Sequence, residues 1–217
     1  QATARAQALL VKLPQAPEPL LLLAGIYKTQ TNFARTEAVL PKALELQPEY
    51  RAAHLMLAQL YVSANQFRPA LEKYQKLTAK NPQDIAAWMQ TGMIQNELKN
   101  YPAARDAYEA ILKINPNSSP ALNNLAYLYS EQFKQLDQAA TLARRARELA
   151  PFDPFAADTL GWILVKRGEY PWALSLLQES AEKLPAEPEV LYHLGIAHYL
   201  MGEAEPSRLA LDRKSVV

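Results

Sequence analysis

Apolar residues recur three and four apart along nearly the whole chain, in stretches of about three to four turns, and so predict a succession of amphipathic helices. The stretches come in pairs. The first of each pair carries a small residue at a fixed place: Ala24, Ala58, Gly92, Ala126, Gly161 and Gly195. It is preceded by Leu23, Leu57, Thr91, Leu125, Leu160 or Leu194, and three places after it stand Tyr27, Tyr61, Gln95, Tyr129, Leu164 and His198. The second of each pair has its own small column, with Ala70, Ala104, Ala139 and Ala173, and four places on a bulky one with Leu40, Tyr74, Tyr108 and Leu177. Small residues facing each other let two antiparallel helices approach closely, and large side chains one turn away fill the space beside them.

Prolines set the register of these pairs. Pro14, Pro48, Pro82, Pro116, Pro151 and Pro185 are spaced by 34, 34, 34, 35 and 34 residues. A period near 34 over almost the whole length predicts a helical repeat array, in which each pair buries its apolar faces by stacking on the next. In this register residues 1–16 hold the second helix of a truncated repeat. Full repeats follow at 17–50, 51–84, 85–118, 119–153 and 154–187, and 188–217 is incomplete. The extra residue of the fourth full repeat falls in the turn from Gln132 to Leu136. Pro17, Pro120, Pro154 and Pro188 open first helices, and Pro102, Pro171, Pro69 and Pro206 fall at the start of second helices. A first turn tolerates proline because its missing N–H would have no partner there. Pro41 instead falls inside a second helix and predicts a kink.

Both ends look unfinished. Leu211 to Lys214 begin a second helix, with Lys214 where a small apolar residue is expected, and no polar capping helix follows. The expectation is a piece of a longer repeat protein, with any targeting signal, lipid anchor or catalytic domain outside it.

The columns resemble the tetratricopeptide repeat and its Trp-x-x-Leu-Gly-x-x-Tyr, Ala, Phe and Pro positions. The third full repeat carries Trp88, Gly92, Ala104, Tyr108 and Pro116, and the fifth carries Leu160, Gly161, Ala173 and Pro185. The resemblance covers the chain and implies an all-α fold, a right-handed superhelical solenoid of antiparallel helix pairs forming a single array. It also implies a protein-interaction scaffold whose first helices line a concave groove with positions 2, 5, 9 and 12 of each repeat. Those positions supply Leu55, Met89, Met93, Asn123, Tyr127, Phe155, Asp158, Trp162, Tyr192 and Tyr199 as candidate partner-binding residues, beside Glu189 and Ile196. Methionine and aromatic side chains on a rigid groove suit a peptide with apolar anchors, with Asn123 and Asp158 available for hydrogen bonds. The alternative is that Trp162, Met93 and Ile196 pack between neighbouring first helices as ordinary core.

Some members of that family grip a partner's terminal carboxylate with lysine, asparagine and arginine side chains spread over three repeats. Here Asn124 matches one asparagine, but Met89, Met93, Phe155 and Thr159 replace other members of the set. That clamp is not expected.

Composition narrows the function further. The formal net charge is +1, from 23 basic and 22 acidic residues, so no overall field favours nucleic acid. The run Arg144, Arg145, Arg147 reads as a solvated face paired with Glu148 and nearby acids. No apolar run reaches the roughly 18 residues of a membrane span. The chain has no cysteine, which excludes disulfides and thiolate chemistry. There is no phosphate-binding glycine loop, and His193 and His198 are five apart without a third ligand, so neither cofactor nor metal is expected. The array reads as non-enzymatic, with a protein or peptide partner. The segments 123–127, 158–164 and 192–195 resemble bacterial repeats of envelope-associated exopolysaccharide and protein-sorting systems, which implies an assembly or export role in the periplasm or on a lipid anchor, while the compartment, cytoplasm or bacterial periplasm and envelope, stays open. Two other readings stay open: the targeting or regulatory domain of a larger enzyme such as a transferase, and a structural array that self-associates as a homo-oligomer.

Overall fold

The computed structural model describes residues 1–214, except for the side chains of Arg213 and Lys214. The expected misfit of Lys214 thus lies outside the described residues. All regular structure among them is helical: α1 (Ala2–Lys12), α2 (Glu18–Thr29), α3 (Phe33–Leu46), α4 (Arg51–Ser63), α5 (Phe67–Lys80), α6 (Ile85–Glu97) and α7 (Tyr101–Ile114). There follow α8 (Ser119–Glu131), α9 (Leu136–Leu149), α10 (Pro154–Arg167), α11 (Tyr170–Lys183), α12 (Pro188–Leu200) and α13 (Ala204–Lys214). The helices group into two compact units, Gln1–Ala104 and Arg105–Val217.

Within the first unit α2 pairs with α3 and α4 with α5, and each pair packs on the next through α3–α4 and α5–α6. In the second, α8 pairs with α9, α10 with α11 and α12 with α13, while α10 also touches α8 and α12 directly. The small columns are where the pairs close. Ala24, Ala58, Ala126, Ala70, Ala104, Ala139 and Ala173 are all fully buried, as are the bulky Leu40 and Leu177. Gly161 and Gly195 mark the tightest approaches. A Cβ on Gly161 would lie 2.8 Å from Leu177 Cγ, and one on Gly195 would lie 2.7 Å from Leu211 Cγ. In the first unit Ala24 and Leu40 share one cluster with Leu57, and Ala58, Ala70 and Tyr74 share the next.

The turn inside each pair repeats as faithfully as the core. Two residues ahead of each of these second helices the backbone is left-handed, at Thr31, Asn65, Lys99, Lys134, Gly168 and Gly202. The next N–H then reaches back to the carbonyl of the aromatic column: Asn32 to Tyr27 at 2.9 Å, Gln66 to Tyr61 at 2.8 Å, Glu169 to Leu164 at 3.0 Å and Glu203 to His198 at 2.9 Å. This is the Schellman closure, in which a left-handed residue lets an N–H satisfy a carbonyl five residues back. In the fourth full repeat the same bond runs from Gln135 to Tyr129, one residue further, and so absorbs the extra residue. Pro154 and Pro188 open their helices, Pro120 and Pro171 stand second, and Pro41 sits inside α3.

Thr31 holds φ of 53° with a β-branched side chain, where glycine would sit without strain. Thr31→Gly is expected to raise stability by about 1 kcal/mol and Gly168→Ala to lower it by about 1 kcal/mol, both read by urea denaturation.

Candidate functional site

The first helices present the predicted positions in two separate groups. In the first unit Leu55 on α4 and Met89 on α6 line one cleft of about 500 Å³, together with Gln59, Val62 and Ala86. Its rim is set by polar contacts between repeats. Arg51 donates to the Asp84 carboxylate at 2.7 Å, and Asp84 in turn caps α6 by accepting the Ala87 N–H at 3.1 Å. Lys28 donates to Gln59 Oε1 at 3.1 Å. Met93, one turn beyond Met89, is exposed.

In the second unit Trp162 lies flat on His193, with ring centroids 4.2 Å apart and planes 14° from parallel, and Tyr192 is tilted against the indole at 6.0 Å. Stacking of this kind adds about 0.5–1.5 kcal/mol beyond area burial. His193 Nδ1 is 3.0 Å from both carboxylate oxygens of Asp158. A carboxylate only accepts, so this nitrogen carries the hydrogen. Trp162 Nε1 donates to Glu131 at 3.1 Å, and Lys166 pairs with the same carboxylate while lying over the indole. Tyr127 on α8 donates to Glu189 on α12 at 2.8 Å. Burial pushes the Tyr127 phenol well above its usual range, and the bond to Glu189 and that carboxylate's charge push it further.

The structure therefore brings Asp158, Trp162 and Tyr192 together, and leaves Phe155 and Tyr199 projecting with 53% and 69% of their surface exposed. Asp158 differs from expectation. The column places it on an open face for a partner, but it is buried and its carboxylate already holds His193. Asn123 is partly buried and its Oδ1 is enclosed without a hydrogen-bond partner. Trp162 is partly buried, between core and surface. Met93 is exposed rather than packed.

His193, Glu131 and Lys166 escaped the column reading because each works through a neighbour one repeat away. A signal was present: Glu131 and Lys166 hold the same position in successive repeats with opposite charge, and Asp158 and His193 hold adjacent positions. The two histidines have separate partners, since His198 faces Glu203 at 2.5 Å. The arginine run also pairs differently from expectation. Arg147 meets Glu179 and Arg144 meets Glu169, both on or before the next second helix, and Arg145 donates to Asn117, so among the described residues none of these three pairs with Glu148. Stacking of successive repeats puts those carboxylates closer than one on the same helix.

Residues 55–119 and 107–141 match family models for the tetratricopeptide repeat. Residues 55–141 thus carry tetratricopeptide repeats. It is 26% identical over 157 residues to the TPR repeat-containing protein PA4667 of Pseudomonas aeruginosa, covering 72% of this chain and 26% of that protein. It is 33% identical over 113 residues to the protein O-mannosyl-transferase TMTC1 of Homo sapiens, covering 49% of this chain and 13% of that protein. The chain thus spans about a quarter or less of these curated relatives. Among solved structures, Pseudomonas aeruginosa PilF superposes with a TM-score of 0.74 at 21% identity, covering 94% of this chain and 92% of that one. YrrB, a TPR protein with an unusual peptide-binding site, superposes at 0.59 with 23% identity, covering 81% and 90%. These likenesses are of fold.

Removing the Asp158 carboxylate leaves His193 without its acceptor beneath the indole. Asp158→Ala is expected to cost about 2 kcal/mol, measured by urea denaturation. The raised Tyr127 pKa means that the folded chain holds this proton more tightly than the unfolded one. Its contribution is complete below the ordinary phenol pKa of about 10 and is lost as pH climbs above it. In alkaline titrations followed by tyrosinate absorbance, the step missing from Tyr127→Phe is expected to be the latest of the wild-type curve, and the variant's stability is expected to fall less steeply above that pH.

Proposed function

We propose that the first-helix face of the second unit binds an extended or helical segment of a partner protein through apolar anchors. One observation carries this reading. Trp162, Tyr192 and His193 form a cluster pinned from below by Asp158 and Glu131, while Tyr192, Phe155 and Tyr199 still turn large surfaces to solvent. Rigid aromatic side chains lose little conformational entropy on binding, and such anchors carry much of the energy of an interface. The cleft at Leu55 and Met89 offers a second apolar seat of the same kind in the first unit. The peptide-binding site of YrrB supports the reading, as does similarity to cellulose synthase operon protein C of Pseudomonas fluorescens, 25% identical over 191 residues. The latter favours an assembly or export system of a bacterial envelope as the setting. Similarity to TMTC1 favours a second reading, in which the repeats recruit proteins to a transferase.

The test is selection of peptides from a phage-displayed library on the folded chain, followed by fluorescence anisotropy. Peptides with aromatic or aliphatic anchors are expected, and Tyr192→Ala/Tyr199→Ala should weaken them about tenfold or more while the helical circular dichroism is kept. Equal binding to the folded variant would remove this face as the site.

A further inference from the structure

Position 4 of the second and third full repeats holds two different rings in one bonding role. Trp88 Nε1 donates to the carbonyl of Pro82 at 2.9 Å. His54 Nε2 stands 2.8 Å from the carbonyl of Pro48, the same six residues back. A carbonyl only accepts, so Nε2 carries the hydrogen. An indole that keeps this bond carries a second, six-membered ring on the side that the imidazole closes with Cε1 and Nδ1. At His54 that ring is missing. The imidazole is 5% exposed, its Nδ1 is enclosed without a partner, and a cleft of about 670 Å³ opens beside it between the Pro48 turn and the last turns of α5.

The walls of this cleft combine apolar surface from Pro48, Leu77 and Ala79 with the ammonium groups of Lys76 and Lys80. Lys80 is paired with Glu49 at 2.8 Å, and Arg51 at the rim is committed to Asp84. Lys76 makes no ion pair among the described residues, so the cleft keeps an excess of positive charge. Its lysines hold the Glu49 carboxyl below the usual range, chiefly through the bond from Lys80. Volumes of this size suit small organic ligands.

We propose that the cleft beside His54 is a binding site for a small aromatic carboxylate, its ring seated against Leu77 and Ala79 where the indole ring is absent and its anion on Lys76. The cleft shares Arg51 and Leu77 with the Leu55–Met89 cleft, but the proposal rests on His54 and Lys76 and does not depend on the role of the first-helix faces.

Indole-3-acetate and its neutral counterpart indole-3-ethanol are the probes, titrated into the full chain by calorimetry and by amide chemical-shift mapping. The acid is expected to bind with a Kd of about 1 mM or tighter, with shifts at Leu77 to Asn81, and the alcohol about tenfold more weakly. His54→Trp, which restores the indole, is expected to abolish binding of both. Lys76→Gln, on an exposed side chain, should bring the acid's affinity down to that of the alcohol. Undiminished binding to folded His54→Trp, equal affinities for acid and alcohol in the wild type, or no saturable binding in the millimolar range would each overturn the proposal.

Discussion

The pairs α2–α3, α4–α5, α10–α11 and α12–α13 each close on a residue with little or no side chain on the first helix against a leucine or tyrosine on the second. At Gly161 and Gly195 the approach is so close that even a methyl group would meet a leucine carbon below 3 Å. The rest of the architecture depends on it. Once the helices are that close, the chain must reverse within a few residues, and a single left-handed residue with a back-reaching N–H does so while satisfying a terminal carbonyl. The reversal in turn fixes which face of each first helix meets its neighbour and which is left outward.

The outward face is not a loose fringe of polar residues. In the second unit it is held by charges buried or half-buried among aromatic rings, with Lys166 paired to Glu131 and His193 to Asp158 across successive repeats. Cross-repeat pairs contribute little energy individually at exposed sites. Their effect on Trp162 and His193 is positional: an indole bonded at its nitrogen and stacked on an imidazole has few other rotamers open to it. A surface prepared in this way loses less entropy when a partner arrives.

The fold was readable from the sequence because its determinants are local and repeated. Ala58, Ala126 and Gly161 announce the close approach, and the aromatic column at Tyr27, Tyr61 and Tyr129 turns out to supply the carbonyl that closes each turn. The left-handed residue itself was visible at Gly168 and Gly202 but hidden at Thr31, Lys99 and Lys134, whose side chains give no hint of positive φ. The binding face was less readable. Column positions say which way a side chain leaves the helix, yet whether it stays outward is decided by residues about 34 positions away, one repeat period. Asp158 leaves on the outward side and is then covered by His193, while Met93 at the same kind of position stays open. The cleft beside His54 corresponds to one histidine where the next repeat has tryptophan, and its charge emerges only when the end of α5 is brought alongside.

The bond from Tyr127 to Glu189 joins α8 to α12 and passes over the repeat between them. Stacked repeats ordinarily behave as a one-dimensional chain in which each repeat feels only its immediate neighbours, and such chains fray one repeat at a time from an end. A strap across three successive repeats adds a next-nearest-neighbour coupling. With it, α12 cannot peel away without first breaking its bond to α8, so loss of the last repeat is opposed by a contact beyond its immediate neighbour.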